Sequence, residues 1–129
     1  MKLNISDPKT AKTYSVEADE KTSLMLLGKK IKDEVELTSI AAGLKAIITG
    51  GSDKQGFPMS PSLDLDARKI VYLKKSVGFR PKRKGERRRK RIAGKIINEN
   101  IQQVNLKIVS GDPKVLDEKH SPKKKDEKK

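Results

Sequence analysis

A chain of 129 residues with 33% hydrophobic and 37% charged residues holds one domain with a modest core, against roughly 45–50% apolar and roughly 25% charged in average globular chains. Its formal net charge of +14 opposes compaction unless a polyanion neutralises it, so nucleic acid leads the candidate partners. No cysteine, a single histidine and no apolar run near the ~20 residues of a membrane span exclude disulfides, the usual nitrogen and sulfur zinc sites, and a transmembrane helix.

The N-terminus, MKLNISDPKT, has no apolar signal core and enters directly into a strand-like pattern, so the expected location is cytoplasmic. Lys2–Ser6 and Thr13–Glu17 alternate polar and apolar residues, with Asp7-Pro8 as the turn between them. Asp19 is placed to cap a short helix over Glu20–Leu27, and Gly28 follows its end. Glu34–Leu37 reads as a brief strand. Leu44–Thr49 reads as a stronger one, because Ile47 and Ile48 are β-branched. A turn-rich loop is expected from Gly50 to Asp66. Lys69–Leu73, Ile92–Asn98 and Gln103–Val109 follow as strands. Short strands separated by Gly and Pro turns predict a mainly β fold, a small, partly closed β-barrel with one short helix. Residues 1–110 form this domain, and 111–129 form a Lys-rich tail expected to be flexible when free.

The charge is localised. Arg80, Lys82, Arg83, Lys84, Arg87, Arg88, Arg89, Lys90 and Arg91 face a single acid, Glu86, so twelve residues carry +8. Lys119–Lys129 carries +4, which leaves +2 for the rest of the chain. Concentrated charge on a near-neutral body points to a binding footprint. Pro81 and Gly85 keep the first half of RPKRKGERRRKR out of a helix. Arginine forks bind phosphate oxygens in pairs. With two Tyr, two Phe and no Trp, base stacking is not the main mode expected. Contact with the phosphates and the shape of a folded RNA is. This density of charge argues against a merely solvated loop, although charge alone does not separate an RNA footprint from a nuclear localisation signal.

Other constellations carry less. His120 lies in the polar tail, where it cannot serve a rigid catalytic triad. Asp64 and Asp66 share one side of an extended chain and read more simply as an acidic loop edge than as a hard-cation site. Gly51-x4-Gly56 has the outer spacing of a phosphate-binding loop. Phe57 and Pro58 stand where that loop needs Lys and Ser or Thr, so a nucleotide-dependent enzyme is disfavoured. What remains is a glycine-enabled turn: Gly50 and Gly51 permit positive φ, Pro58 stiffens the exit, and Lys54 and Gln55 stand at the tip. Either Gly51 or Gly56 is expected at positive φ. A turn without a ligand and a turn that meets RNA are both compatible with these residues.

The segment ITGGSDKQGFPM, Ile48–Met59, resembles the signature of the ribosomal protein S6e family: a Gly pair, Asp53, then Gly56-x-Pro58-Met59. The opening MKLNISDPKT with Tyr14-Ser15-Val16-Glu17 resembles the N-terminal strands of that family. Gly28-Lys29-Lys30-Ile31 resembles its Gly-Lys-Arg turn, with Lys30 in place of Arg, and GFRPKRKGERRRKRIAGKII resembles its basic segment and following strand. The resemblance covers residues 1 to about 110. It implies a structural protein of the small ribosomal subunit on a barrel-like fold, bound to small-subunit rRNA and neighbouring ribosomal proteins. It implies no catalysis, cofactor, membrane or small-molecule substrate. It also turns the Gly50–Met59 loop toward an RNA or protein contact. Eukaryotic members continue into a basic helix with phosphorylated serines. The tail here has only Ser121, which resembles the short archaeal form. No role follows for Phe79. The alternative is an RNA- or DNA-binding regulator acting off the ribosome.

Overall fold

In the computed structural model, which describes residues 1–111 and Lys114, the alternating N-terminal segments pair as an antiparallel hairpin. Strand β1 (Lys2–Asp7) sets Lys2 opposite Glu17 and Asp7 opposite Lys12 of β2 (Lys12–Glu17). The period of two turns Leu3, Ile5, Tyr14 and Val16 into the core. Asp7 closes the turn: its carboxylate accepts the Lys9 amide at 3.0 Å and the Thr10 hydroxyl at 2.8 Å. Those two donors, the Lys9 amide foremost, hold the Asp7 carboxyl below the usual carboxylate range.

Helix α1 (Glu20–Leu26) is two turns long and buries only Thr22 and Leu26. Asp19 stands at its N-cap, but its side chain makes no capping hydrogen bond; the backbone carbonyl of Asp19 accepts Ser23 N–H at 2.9 Å instead. Gly28, at φ +82°, ends the helix as expected.

Strands β3 (Glu34–Glu36), β4 (Lys45–Asp53) and β7 (Ile101–Ser110) complete a five-stranded sheet in the order β2-β1-β7-β4-β3. The β1–β7 pair is parallel and the others are antiparallel. Ala46, Ile48, Val104, Leu106 and Ile108 pack with Leu26, Leu37, Leu44, Met59 and Ile97 in the main core. The sheet is open, and this corrects the expected partly closed barrel. Strands β5 (Arg68–Leu73) and β6 (Arg88–Ala93), which would have to extend the sheet toward closure, pair with each other and with no strand of that sheet, apart from a single bridge of Ala93 to Met59 beyond the end of β4. They form a separate two-stranded ribbon with its own small core of Leu73, Phe79 and Ile92. Phe79 is therefore a packing residue.

Two further boundaries differ from expectation for physical reasons. The predicted loop begins at Gly50, yet β4 runs on to Asp53. Gly51 stays in the strand because β7 approaches it: a Cβ there would lie 2.2 Å from the Gln103 carbonyl oxygen. The predicted strand Ile92–Asn98 is displaced toward the N-terminus. Arg88–Arg91 pair with Ile70–Leu73 because exposed cations on a ribbon cost the ladder little, and β6 ends before Gly94. At Gly94 a Cβ would lie 1.7 Å from the Leu65 carbonyl oxygen. The expected Lys-rich tail, with Lys119–Lys129 and His120, lies outside the described residues.

Candidate nucleic-acid interface

The turn after β4 is organised by one buried acid. Asp53 Oδ1 accepts the amides of Gln55 at 3.0 Å and Phe57 at 2.9 Å, and Gly56 takes φ +88° so that the chain can reverse. Of the two glycines proposed for positive φ, the structure selects Gly56. Pro58 lies in the bridge back to Ser52, and its carbonyl accepts Ala93 N–H at 2.9 Å. The Ser60 amide donates to the Ala93 carbonyl at 3.0 Å. These bonds fix the base of the ribbon to the loop.

Side chains reinforce that junction. Arg68 Nε lies 3.2 Å from Asp53 Oδ2, and the Arg68 guanidinium donates to Gln55 Oε1. The guanidinium carbons of Arg68 and Arg91 lie 5.6 and 5.7 Å from the centre of the Phe57 ring, within cation–π range. The two regions singled out in the sequence, the Gly50–Met59 loop and the Arg80–Arg91 run, thus meet at Phe57. Lys54 is exposed at the tip, with its amide bound to the Asn100 carbonyl at 2.9 Å. Gln55 is exposed too, but its carbonyl is held by Arg68 rather than free.

All nine cations of the basic run are exposed. They fall into three sets. Lys82, Arg83, Lys84 and Arg87, joined by Lys74 and Lys75, line an open cleft of about 470 Å3. Arg80, Lys82, Arg88 and Lys90 line a smaller one of about 220 Å3. Arg89 and Arg91 stand opposite Tyr72 and Ile70 on one face of the ribbon. Glu86, the single acid of the run, shapes this region. Its Oε2 accepts the Lys82 amide at 3.0 Å, its Oε1 lies 3.2 Å from Arg88 Nε, and Gly85 at φ +81° makes the turn between.

Dense exposed cations on a narrow ribbon, held to a loop of defined shape, suit a polyanion whose phosphates are spaced along a chain. Among the described residues no group of His, Cys, Asp and Glu is arranged to hold a metal ion. Asp64 instead faces Lys95 at 3.3 Å. No helix among the described residues is long and apolar enough to cross a membrane.

The family model of ribosomal protein S6e matches residues 1–120. The chain belongs to the ribosomal protein S6e family. Relatives named small ribosomal subunit protein eS6 are about two-fifths identical to it over the aligned residues. The protein of Methanoregula boonei is 41% identical over 119 residues, covering 92% of this chain and 83% of its own. That of Methanocaldococcus jannaschii is 42% identical over 118 residues, covering 91% and 88%. That of Methanocella arvoryzae is 39% identical over 127 residues, covering 98% and 89%.

In this S6e chain, reading by charge density missed Lys74, Lys75 and Arg68, which lie outside the run. A signal for Arg68 was present: a cation opening a β-branched strand, fifteen residues after a lone acid in a Gly-rich turn. Its partner could not be named without the fold. Asp53 stands in the signature segment, but its burial and its bonds to Gln55 and Phe57 do not follow from charge.

Proposed function

We propose that this protein is a non-catalytic, structural constituent of the small ribosomal subunit in the cytoplasm, bound to small-subunit rRNA through phosphate and shape contacts and flanked by other ribosomal proteins. The observation that carries the reading is the junction at Phe57. Arg68 and Arg91 both lie over its ring, so the signature loop and the basic ribbon form one surface, while the sheet behind it is nearly neutral. The relatives' shared name supports the ribosomal setting.

Lys54, Arg80, Lys82, Arg83, Lys84, Arg87, Arg88, Arg89, Lys90 and Arg91 neutralise phosphates that folding brings close together. Gln55, exposed beside Lys54 at the tip of the loop, meets the RNA with them. Gly50, Gly51, Gly56 and Pro58 set the path of that loop. Residues 1–110 supply this surface, and the Lys-rich segment 111–129 adds positive charge. No cofactor takes part. Sedimentation of a cell extract at moderate salt tests the reading: the chain is expected to travel with the small subunit in near-stoichiometric amount. Recovery mainly in light fractions would overturn it in favour of a regulator off the ribosome.

A further inference from the structure

The ribbon has two unlike faces. Val71, Leu73 and Ile92 pack inward with Phe79 and Leu63. Residues directly opposite across an antiparallel ladder share a face, so Ile70 with Arg91, and Tyr72 with Arg89, make up the other face. On it Tyr72 is 62% exposed and Ile70 55%. The remaining rings are spoken for: Tyr14 and Phe79 are buried, and Phe57 is half-buried beside two guanidinium groups. Tyr72 is therefore the aromatic ring presented to solvent, and it stands between arginines. Neither strand of the ribbon contains an acid, whereas together they hold six cations, Arg68, Lys69, Arg88, Arg89, Lys90 and Arg91.

We propose that Tyr72 is a stacking platform for one unpaired RNA base, with Ile70 flanking the base and Arg89 and Arg91 taking the phosphates on either side of it. The inference rests on the rRNA-binding reading and adds a base contact to it. A phenol ring stacks any base face without reading its edge, and unstacked bases in loops and bulges are what proteins grip in otherwise helical RNA. An exposed ring costs the fold apolar exposure and gains it nothing on this side of the ribbon. Arg68 is paired with Asp53 and Arg88 with Glu86, but Arg89 and Arg91 on this face make no ion pair among the described residues and favour an anionic partner that also carries flat apolar surfaces. RNA has both, with its phosphates about one nucleotide from each base.

The test uses the full chain and two probes of equal length, oligoadenylate and an oligoribonucleotide lacking bases. Wild type is expected to bind oligoadenylate about 5- to 150-fold more tightly than the abasic strand, the range for stacking one base on an aromatic ring. Tyr72→Phe should keep the preference. Tyr72→Ala should erase it and leave abasic binding and the melting temperature unchanged. Tyrosine emission should fall with oligoadenylate and not with the abasic strand, because Tyr14 is buried. Equal binding of both probes without quenching would overturn the stacking proposal while leaving phosphate binding intact. A Tyr72→Ala variant that melts lower and weakens both probes alike would also overturn it, by making Tyr72 structural. Failure of both probes to bind would remove the rRNA-binding reading along with it.

Discussion

Asp53 and Arg68 pair across the junction between the sheet and the ribbon, with Arg68 Nε 3.2 Å from Asp53 Oδ2. The carboxylate side chain is 2% exposed and the guanidinium 31%. Oδ1 is satisfied by two backbone amides, while Oδ2 has no aligned hydrogen bond among the described residues. The contact to Arg68 is thus mainly charge on charge. In a chain this basic, the buried or half-buried acids Asp53, Glu86, Asp7 and Asp33 each bind a nearby amide and fix a turn.

The first expected outcome concerns that pair. Asp53→Ala leaves the Gln55 and Phe57 amides without their acceptor and Arg68 without its counter-ion. The loss should be about 2–4 kcal/mol. Arg68→Gln leaves the carboxylate its two amide donors, and the guanidinium is already partly solvated, so about 1 kcal/mol is expected. The double variant should cost less than the sum, because both changes break one contact. Denaturant unfolding of the full chain measures all three. A larger cost for Arg68→Gln than for Asp53→Ala would show that the ribbon, not the turn, depends on the pair.

The main sheet was legible because its strands alternate: Leu3, Ile5, Tyr14 and Val16 announce their faces, and each is buried. The ribbon was legible only in part. Lys69–Leu73 shows β-branched residues, but its partner Arg88–Arg91 looks like an unstructured charge run until Ile70 and Tyr72 supply the ladder. Barrel closure was misjudged because strand count and turn spacing do not say which strands pair. Of the site, the cations and the Gly56 turn could be read from local residue types. The meeting of Phe57 with Arg68 and Arg91 could not, since it depends on contacts far apart in sequence.

Gly51 separates backbone approach from conformational freedom. Its φ is not in the left-handed region, yet a Cβ would sit 2.2 Å from the Gln103 carbonyl oxygen and 3.2 Å from Met59 Sδ. Gly51→Ala must therefore push β4 from β7, and a loss of about 2–3 kcal/mol is expected, in the range of other core overpacking. Gly50→Ala, next along the strand, meets nothing within 4 Å and should change stability by less than about 1 kcal/mol. Thermal melts of the two variants check the contrast. Similar losses at both positions would mean that strand propensity, not the Gln103 contact, selects glycine here.

Binding to rRNA should depend steeply on salt. Each neutralised phosphate contributes roughly −0.7 to −0.9 to the slope of log K against log salt. About six contacts from the exposed run give a slope on the order of −4 or steeper. Replacing Arg87, Arg88 and Arg89 by Glu should flatten the slope and prevent incorporation into the subunit. These side chains are exposed, so secondary structure should survive the change. A filter-binding titration with wild-type slope near −1 would show that the run is not the footprint.

Asp7 gives a pH dependence of known sign. Its carboxyl is held below the ordinary carboxylate range by the Lys9 amide and then the Thr10 hydroxyl, so folding favours the ionised form. That contribution is complete above the unfolded value of about 3.9. It is lost as pH falls through the lower folded value. Wild type should melt above Asp7→Asn at neutral pH, and the gap should narrow below about pH 4. Melting temperatures across that range measure it. A gap that stays constant into acid would mean that the charge of Asp7 contributes nothing and the turn is held by shape.

Lys54 and Gly56 lie two residues apart and should fail in different ways. Lys54 is exposed, and its backbone amide, not its side chain, bonds Asn100. Lys54→Glu keeps that bond, so the melting temperature should stay within about 2 °C, a shift that corresponds to a few tenths of a kcal/mol in a domain this size. The reversed charge should nonetheless lower incorporation into the small subunit, because the proposed rRNA contact sets this position and the ribbon against phosphates. Gly56 has open space around it but a φ of +88°. Gly56→Val therefore meets backbone strain rather than collision, and a cost of about 1–3 kcal/mol is expected. Relaxation of that strain would pull the Gln55 and Phe57 amides from Asp53 and loosen Phe57 beneath Arg68 and Arg91. Incorporation should then fall only as far as the fold does, and a lower assembly temperature should restore it. If Lys54→Glu lowers the melting temperature and spares incorporation, Lys54 is a structural residue and the loop only a turn.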